Sequence, residues 1–293
     1  MKTIKTYISV IVGMIGLVGW AQQDGVVTQY NDLMNIYNPA YSGMNEEGNF
    51  TTAYVKQWAG AAQSPTSMFI AYDKKLSSGL GVGLNILNDK TFVETNNVVS
   101  LDFSYGIQLS NGSSLYFGLR GSGVFYNLNA SGLTLIDSAI DPSLVDISVS
   151  KPNLGFGFHL INEKWDMSIS IPKFFDTTRI AEENGVNLLS TSKMHVYSSF
   201  GYKIRMNDQF TVRPSVLMTY VDGIDPLLDI NTMVSYNNIL ECGLTLRSNK
   251  GISALSTFKL NEKLKIGFAY GMGARGSVAS VNNNLEFLLR TGF

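Results

Sequence analysis

The sequence holds one cysteine, Cys242, and two histidines, His159 and His195. A single cysteine excludes an internal disulfide and any cysteine-based zinc site, and leaves Cys242 as a small apolar residue on a strand. Charge is also scarce: Asp, Glu, Lys and Arg make up 15% of the 293 residues, against about 25% in a typical soluble domain. Neither sign dominates, the net charge being −1, so the composition gives no reason to expect nucleic acid as a partner. Beyond the N-terminus no apolar run reaches the roughly 20 residues that a membrane-spanning helix needs. What the chain has instead is 28 glycines, 14 tyrosines and 16 phenylalanines. Few charges with many aromatics and glycines suit a protein whose outer surface meets lipid.

The N-terminus has the three parts of a secretory signal. Lys2 and Lys5 precede an uncharged run from Tyr7 to Trp20, and Gly19-Trp20-Ala21 puts small residues at the two positions a signal peptidase reads. Residues 1–21 are expected to be removed, leaving Gln22 first. No cysteine follows the cleavage site, so lipoprotein processing is not expected.

From about Gly48 onward the sequence alternates with period two, the mark of strands with two unlike faces. Val99, Leu101, Phe103, Tyr105, Ile107 and Leu109 point one way; Ser100, Asp102, Ser104, Gly106 and Gln108 point the other. The turn Ser110-Asn111-Gly112 follows, and the return strand carries Leu115, Phe117 and Leu119 opposite Tyr116, Gly118, Arg120 and Ser122. Similar segments recur to the C-terminus. Their lengths fit tilted membrane crossings of about 9–11 residues, and about fourteen of them are present, an even number as bacterial single-chain barrels have. A β-sandwich also alternates, but its exterior is richly charged, whereas the polar face here is Gly, Ser and Asn with isolated charges. The fold expected is all-β: a transmembrane antiparallel up-and-down β-barrel over 48–293, preceded by a periplasmic N-terminal segment, 22–47, that is a candidate plug.

Connections after every second strand are short, as at Asn207-Asp208 and Asn237-Asn238; those between tend to be longer, as at Leu128 to Lys151 and Lys173 to Ser192. Short periplasmic turns and long outer loops are the rule for such barrels, which puts both ends of the barrel chain in the periplasm. The Ser248 to Lys250 connection is a short exception on the outer side. The last segment alternates Leu285, Phe287 and Leu289 with Asn284, Glu286 and Arg290 and ends on Phe293; Leu288 breaks its pattern. An amphipathic final strand with a terminal aromatic resembles the signal read by barrel-insertion machinery.

The polar face of a barrel points inward, which assigns Asp102, Arg120, Lys203, Arg205, Arg213, Arg247, Glu286 and Arg290 to the lumen, together with Asp73, Asp166, Asp229, Glu241, Lys259 and Lys265. Mixed signs favour pairing across the interior over a strongly ion-selective pore. About fourteen strands enclose more space than wall side chains fill. The candidates to occupy it are the 22–47 segment, an inward fold of a long loop, or a segment of a partner.

No catalytic, cofactor or metal site is expected. Ser and Asn are too common here to single out a Ser–His pair. Asp137, Asp141 and Asp146 lie in one loop with calcium-ligand chemistry but read as a solvated acidic loop. Gly79-Leu80-Gly81-Val82-Gly83 reads as small inward residues on a strand rather than a phosphate loop, for no helix follows.

Near the mature N-terminus the residues become specific. Asn38-Pro39-Ala40-Tyr41-Ser42-Gly43 is followed by Gln57-Trp58-Ala59-Gly60 and then Pro65. This order and spacing resembles the PorP/SprF family of the type IX secretion system, with Lys56 where the family commonly carries Arg. The matching residues Asn38, Pro39, Ala40, Tyr41, Gly43, Gln57, Trp58 and Pro65 are expected to be structural: a turn starter, a positive-φ glycine and an interfacial tryptophan. The resemblance implies an outer-membrane location and a role in secretion or gliding motility. The partners it implies are outer-membrane lipid, other type IX secretion components, and a large secreted surface protein, such as an adhesin, held through its C-terminal sorting domain. The residues themselves leave open an outer-membrane channel or hydrophobic-solute transporter, and a purely structural surface barrel.

Overall fold

A computed structural model of the chain describes residues 27–59, 63–77, 79–110, 112–130, 146–183, 186–248, 251–272 and 283–293, with backbone only at 177–192. The expected signal 1–21, residues 22–26, and Asp137 and Asp141 lie outside them. The strands are β1 (Asn49–Gln57), β2 (Thr66–Ser77), β3 (Leu80–Thr91), β4 (Glu94–Gln108), β5 (Ser114–Leu128), β6 (Ile147–Ile161), β7 (Trp165–Ile171), β8 (Thr177–Glu183), β9 (Val186–Ser192), β10 (His195–Tyr202), β11 (Ile204–Arg205), β12 (Phe210–Val221), β13 (Ile224–Tyr236), β14 (Leu240–Arg247), β15 (Gly251–Lys259), β16 (Leu264–Met272) and β17 (Asn283–Gly292).

Each strand pairs antiparallel with its sequence neighbours, except that β8 and β9 form a hairpin of their own outside the main sheet. The sheet closes twice over: β17 returns to β1, and β10 crosses the β8–β9 excursion to pair with both β7 and β12. β10 and β11 are one wall strand interrupted at Lys203. The register places Tyr202 and Lys203 opposite Pro214 and Arg213, and a proline has no N–H to give the ladder. Counting β10 and β11 together, the result is a closed barrel of 14 antiparallel strands.

Burial follows the alternation. On β4, Leu101, Phe103 and Tyr105 are more than half exposed, while Ser100, Asp102 and Ser104 between them are buried. The same holds for Leu154, Phe156 and Phe158 outside and Asn153, Gly155, Gly157 and His159 inside. An exposed belt of this kind would be a liability in water and is what a lipid-facing wall requires. Exposed Tyr72, Tyr105, Tyr202 and Tyr236 stand toward the end with the short turns, and Tyr220 and Tyr270 toward the other, as interfacial aromatic girdles do. Cys242 is exposed on β14.

The short-turn end holds the start of β1 and the end of β17, and is periplasmic by the general rule. The outer end mixes long connections with more short turns than the sequence suggested: Phe92-Val93 and Asp222-Gly223 join the Ser248 to Lys250 exception. The wall is also uneven. β4, β5 and β6 have 15 residues each, but β14 has 8 and β15 and β16 have 9.

Candidate functional site in the barrel lumen

Residues 27–43 run inside the ring. Their partners establish this, since no outside position reaches strands on every side of a closed barrel. Thr28 and Gln29 donate backbone N–H groups to Glu286 on β17. Tyr30 Oη bonds Ser215 on β12 at 3.0 Å, and Asn31 reaches Ser215 and Asn231 on β13. Asp32 accepts from Lys265 on β16 at 2.8 Å. Arg120 on β5 donates to the carbonyls of Asn35 and Ile36. Asn38 donates to the Phe158 carbonyl on β6, and Ser170 on β7 donates to that of Tyr37. Ser42 donates to Asp102 on β4, and Gly43 N–H to Asp73 on β2.

The local conformation is set by the Asn38–Gly43 motif. Asn38 accepts the Ala40 N–H with its own side chain at 2.9 Å, capping a 3-10 turn, Pro39–Tyr41, whose first residue has no N–H to satisfy. Tyr41 stacks on His159, ring centroids 3.9 Å apart. Gly43 has φ +68 and sits against the Gly81 backbone, so this corner needs glycine for conformation and for space.

The wall is shaped to match. Gly81 and Gly83 on β3, Gly118 on β5 and Gly157 on β6 face inward where the segment passes; a side chain at these points would strike Ser42 or Gly43, the Pro39–Ala40 backbone, or Asn38. Elsewhere the wall is apolar to meet apolar residues of the segment. Val27 and Leu33 pack with Ala53, Val55, Phe69 and Leu288; Tyr30, Met34 and Tyr37 pack with Tyr197 and Leu217. Leu288, which breaks the pattern of the last strand, is thus fully buried inside the barrel. Leu288→Ala is expected to cost about 2–5 kcal/mol, read as a lower urea midpoint of unfolding in detergent; a midpoint equal to the parent's would mean this cluster adds nothing to stability. Burial pushes the Tyr30 and Tyr41 hydroxyls up to about 12, and that of Tyr37 still higher, so all three stay protonated.

The predicted lumen charges divide. Asp102 and Arg120, opposite in register, form a bidentate pair at 2.7 Å, and Asp229 and Arg247 pair likewise. Arg213 reaches Asp166 across β10 at 2.9 Å, over Gly201, where a side chain would block the path. Glu286 holds the start of the segment, and Arg290 stands 3.9 Å from Asp32. Lys203 and Arg205 do not join them: both are exposed beside the turn at 206–209, past the ladder break opposite Pro214. Lys259 is exposed at the end of β15. Gln57, Trp58 and Pro65 sit at the outer end of β1 and β2, away from Asn38–Gly43. There Gln57 N–H donates to the Pro65 carbonyl, and Trp58 is exposed with φ +51. Among the described residues no group of His, Cys, Asp or Glu is placed to hold a metal ion.

Fold and lumen together define an outer-membrane β-barrel whose interior is lined to fit a segment of its own chain. The family model "Type IX secretion system membrane protein PorP/SprF" matches residues 20–291, so the chain belongs to that family. Membership makes it a membrane component of that system, associated with the system's other components. Among solved structures it is similar to TodX, a monoaromatic hydrocarbon channel, in a deltaS2S3 mutant, with 11% identity over 88% of this chain and 93% of that one at a TM-score of 0.54. It is also similar to the CymD monoaromatic hydrocarbon channel, with 10% identity over 89% and 92% at 0.53. These likenesses concern the fold alone. No curated protein matches the chain.

Proposed function

We propose that this barrel is a plugged docking component of type IX secretion, which holds one large secreted surface protein at the outer membrane through that protein's C-terminal sorting domain. The observation that supports it is the occupied lumen. A transporter needs an open or continuously apolar path, whereas here the segment is hydrogen-bonded to most of the ring and ion pairs flank it. A holder of cargo can be blocked. In this reading residues 27–43 are the plug, and the outer rim, with its long connections, is the face the cargo meets.

The test is to purify the tagged protein from detergent-extracted outer membrane, identify what survives a stringent wash, and repeat with the bound protein's C-terminal domain deleted. A large surface protein that is lost on that deletion supports docking. The parent barrel is expected to stay silent in a planar bilayer. Steady conduction, or uptake of an apolar solute, by an empty parent barrel would instead favour the transporter reading, which the fold likeness to hydrocarbon channels makes the nearest competitor.

A further inference from the structure

Among the described residues β6 has the longest strand edge left open in the barrel wall; a shorter one lies at the start of β13, whose ladder with β14 begins only at Asp229. β6 pairs with β5 along its whole length, Ile147↔Leu128 to Ile161↔Ser114. Its other edge pairs with β7 only from Phe156↔Ile171 to Ile161↔Asp166. The chain then leaves the wall at Pro172, which lies against Gly155. The seam is finished by a short clasp. Phe174 N–H donates to the Leu154 carbonyl at 2.7 Å, and the Asn153 side chain both donates to the Phe175 carbonyl and accepts its N–H. Asn153 Oδ1 also accepts the Leu154 N–H. Above the clasp, no strand among the described residues pairs with Ile147–Pro152 on this side.

The position of this edge matters. A 15-residue strand with a rise of about 3.3 Å and a tilt of about 40° spans roughly 38 Å along the axis, against an apolar belt of about 25 Å. The outward side chains of β6 mark where it leaves lipid: Phe158, Phe156 and Leu154 are followed by Pro152, Ser150 and Ser148, all exposed. This edge therefore stands beyond the apolar belt on the outer side, where β8 comes near β6 without pairing with it. In a strand the N–H and C=O of one residue point the same way, and those of alternate residues to alternate sides. Leu154 faces the β7 side, so Ser148 and Ser150 present N–H and C=O there, and Pro152 presents only its C=O.

We infer that this edge, Ser148 to Pro152, is where an extended strand of the cargo's C-terminal domain adds to the barrel wall. The inference rests on the docking role proposed above and specifies its contact. Donors and acceptors repeating every second residue along one line are matched by an extended backbone and by no globular surface. A second copy of this chain is a poor occupant. Lys151 and Pro152 blunt the edge as charges and prolines do on natural edge strands, and two copies would lack the same donor. The recognition is of main chain, so it places few demands on the sequence of the added strand.

The test is the variant Ser148→Pro/Ser150→Pro, which removes the two free N–H groups and leaves the β5 ladder intact, as an edge position allows. Cargo retained on the barrel is expected to fall roughly tenfold or more, because two acceptors on the incoming strand lose their partners. Ser148→Ala/Ser150→Ala keeps both N–H groups and is expected to retain cargo like the parent. Heat-modifiable migration on gels checks that both variants fold. A folded proline variant that holds cargo at the parent level overturns the inference. So does loss in the alanine variant equal to that in the proline variant, which would mean side-chain recognition. A strain lacking the whole barrel separates the two proposals: cargo held normally without it sinks the docking role, whereas cargo lost there but held by the folded proline variant sinks only the edge contact. If the edge instead pairs copies of the barrel, cross-linking through Ser150→Cys yields a homodimer, which also overturns it.

Discussion

Planar-bilayer recordings of a Gly118→Val/Gly157→Val variant are expected to show steady ion conduction where the parent stays closed. Both glycines face the lumen, one against the Pro39–Ala40 backbone and the other against the Asn38 amide, which is fixed by accepting the Ala40 N–H and donating to the Phe158 carbonyl. Overpacking of a fitted interior costs about 1–3 kcal/mol at each site. Two such sites shift the balance between seated and displaced plug by roughly 30-fold to 10⁴-fold. The barrel itself is spared, because its ladders are made by backbone groups that the new methyls do not touch. Gly121→Val is the control: it lies on the outward face of the same strand, where an added side chain meets nothing. Conduction by the control, or silence of the double variant with correct folding, would remove residues 38–40 from the seal.

Arg120→Ala is expected to be the most destabilising single change in the lumen. The guanidinium joins three elements: the Asp102 carboxylate on β4, its own strand, and the carbonyls of Asn35 and Ile36 in the plug. Asp102 is itself buried, and also accepts from Asn85 and Ser42. Truncating the arginine strands that carboxylate without its counter-charge, a loss of about 3–5 kcal/mol. The measurement is the urea midpoint for the change from unmodified to heat-modified migration. Asp102→Asn/Arg120→Met removes both charges and is expected to recover part of the loss. If the single variant keeps the parent midpoint, the pair is not what anchors the plug.

Much of this was legible in the sequence, for a physical reason. A wall with lipid outside and polar groups inside imposes period two on nearly every strand, and β7 begins and ends where alternation and Pro172 place it. What the pattern did not carry are features that depend on partners far along the chain. Leu288 looks like an error in alternation until Val27 and Leu33 are set against it. The inward glycines of β3, β5 and β6 read as merely small, because the motif they receive is elsewhere in the sequence. The β8–β9 hairpin was hidden inside a stretch read as one long connection. Its signal was present in Asn184-Gly185, a dipeptide favoured in two-residue hairpin turns, between two short runs. The rim position of Lys203 and Arg205 turns on a proline in the next strand, which alternation alone cannot weigh.

The bond from the Thr28 N–H to Glu286 joins positions 258 apart, and it sets an order of assembly. The carboxylate that receives the start of the plug belongs to the strand that closes the ring on β1, so the plug cannot be fully seated until that strand is in place. Contacts of such long range come late and slowly. Seating of the plug reports that the barrel is complete.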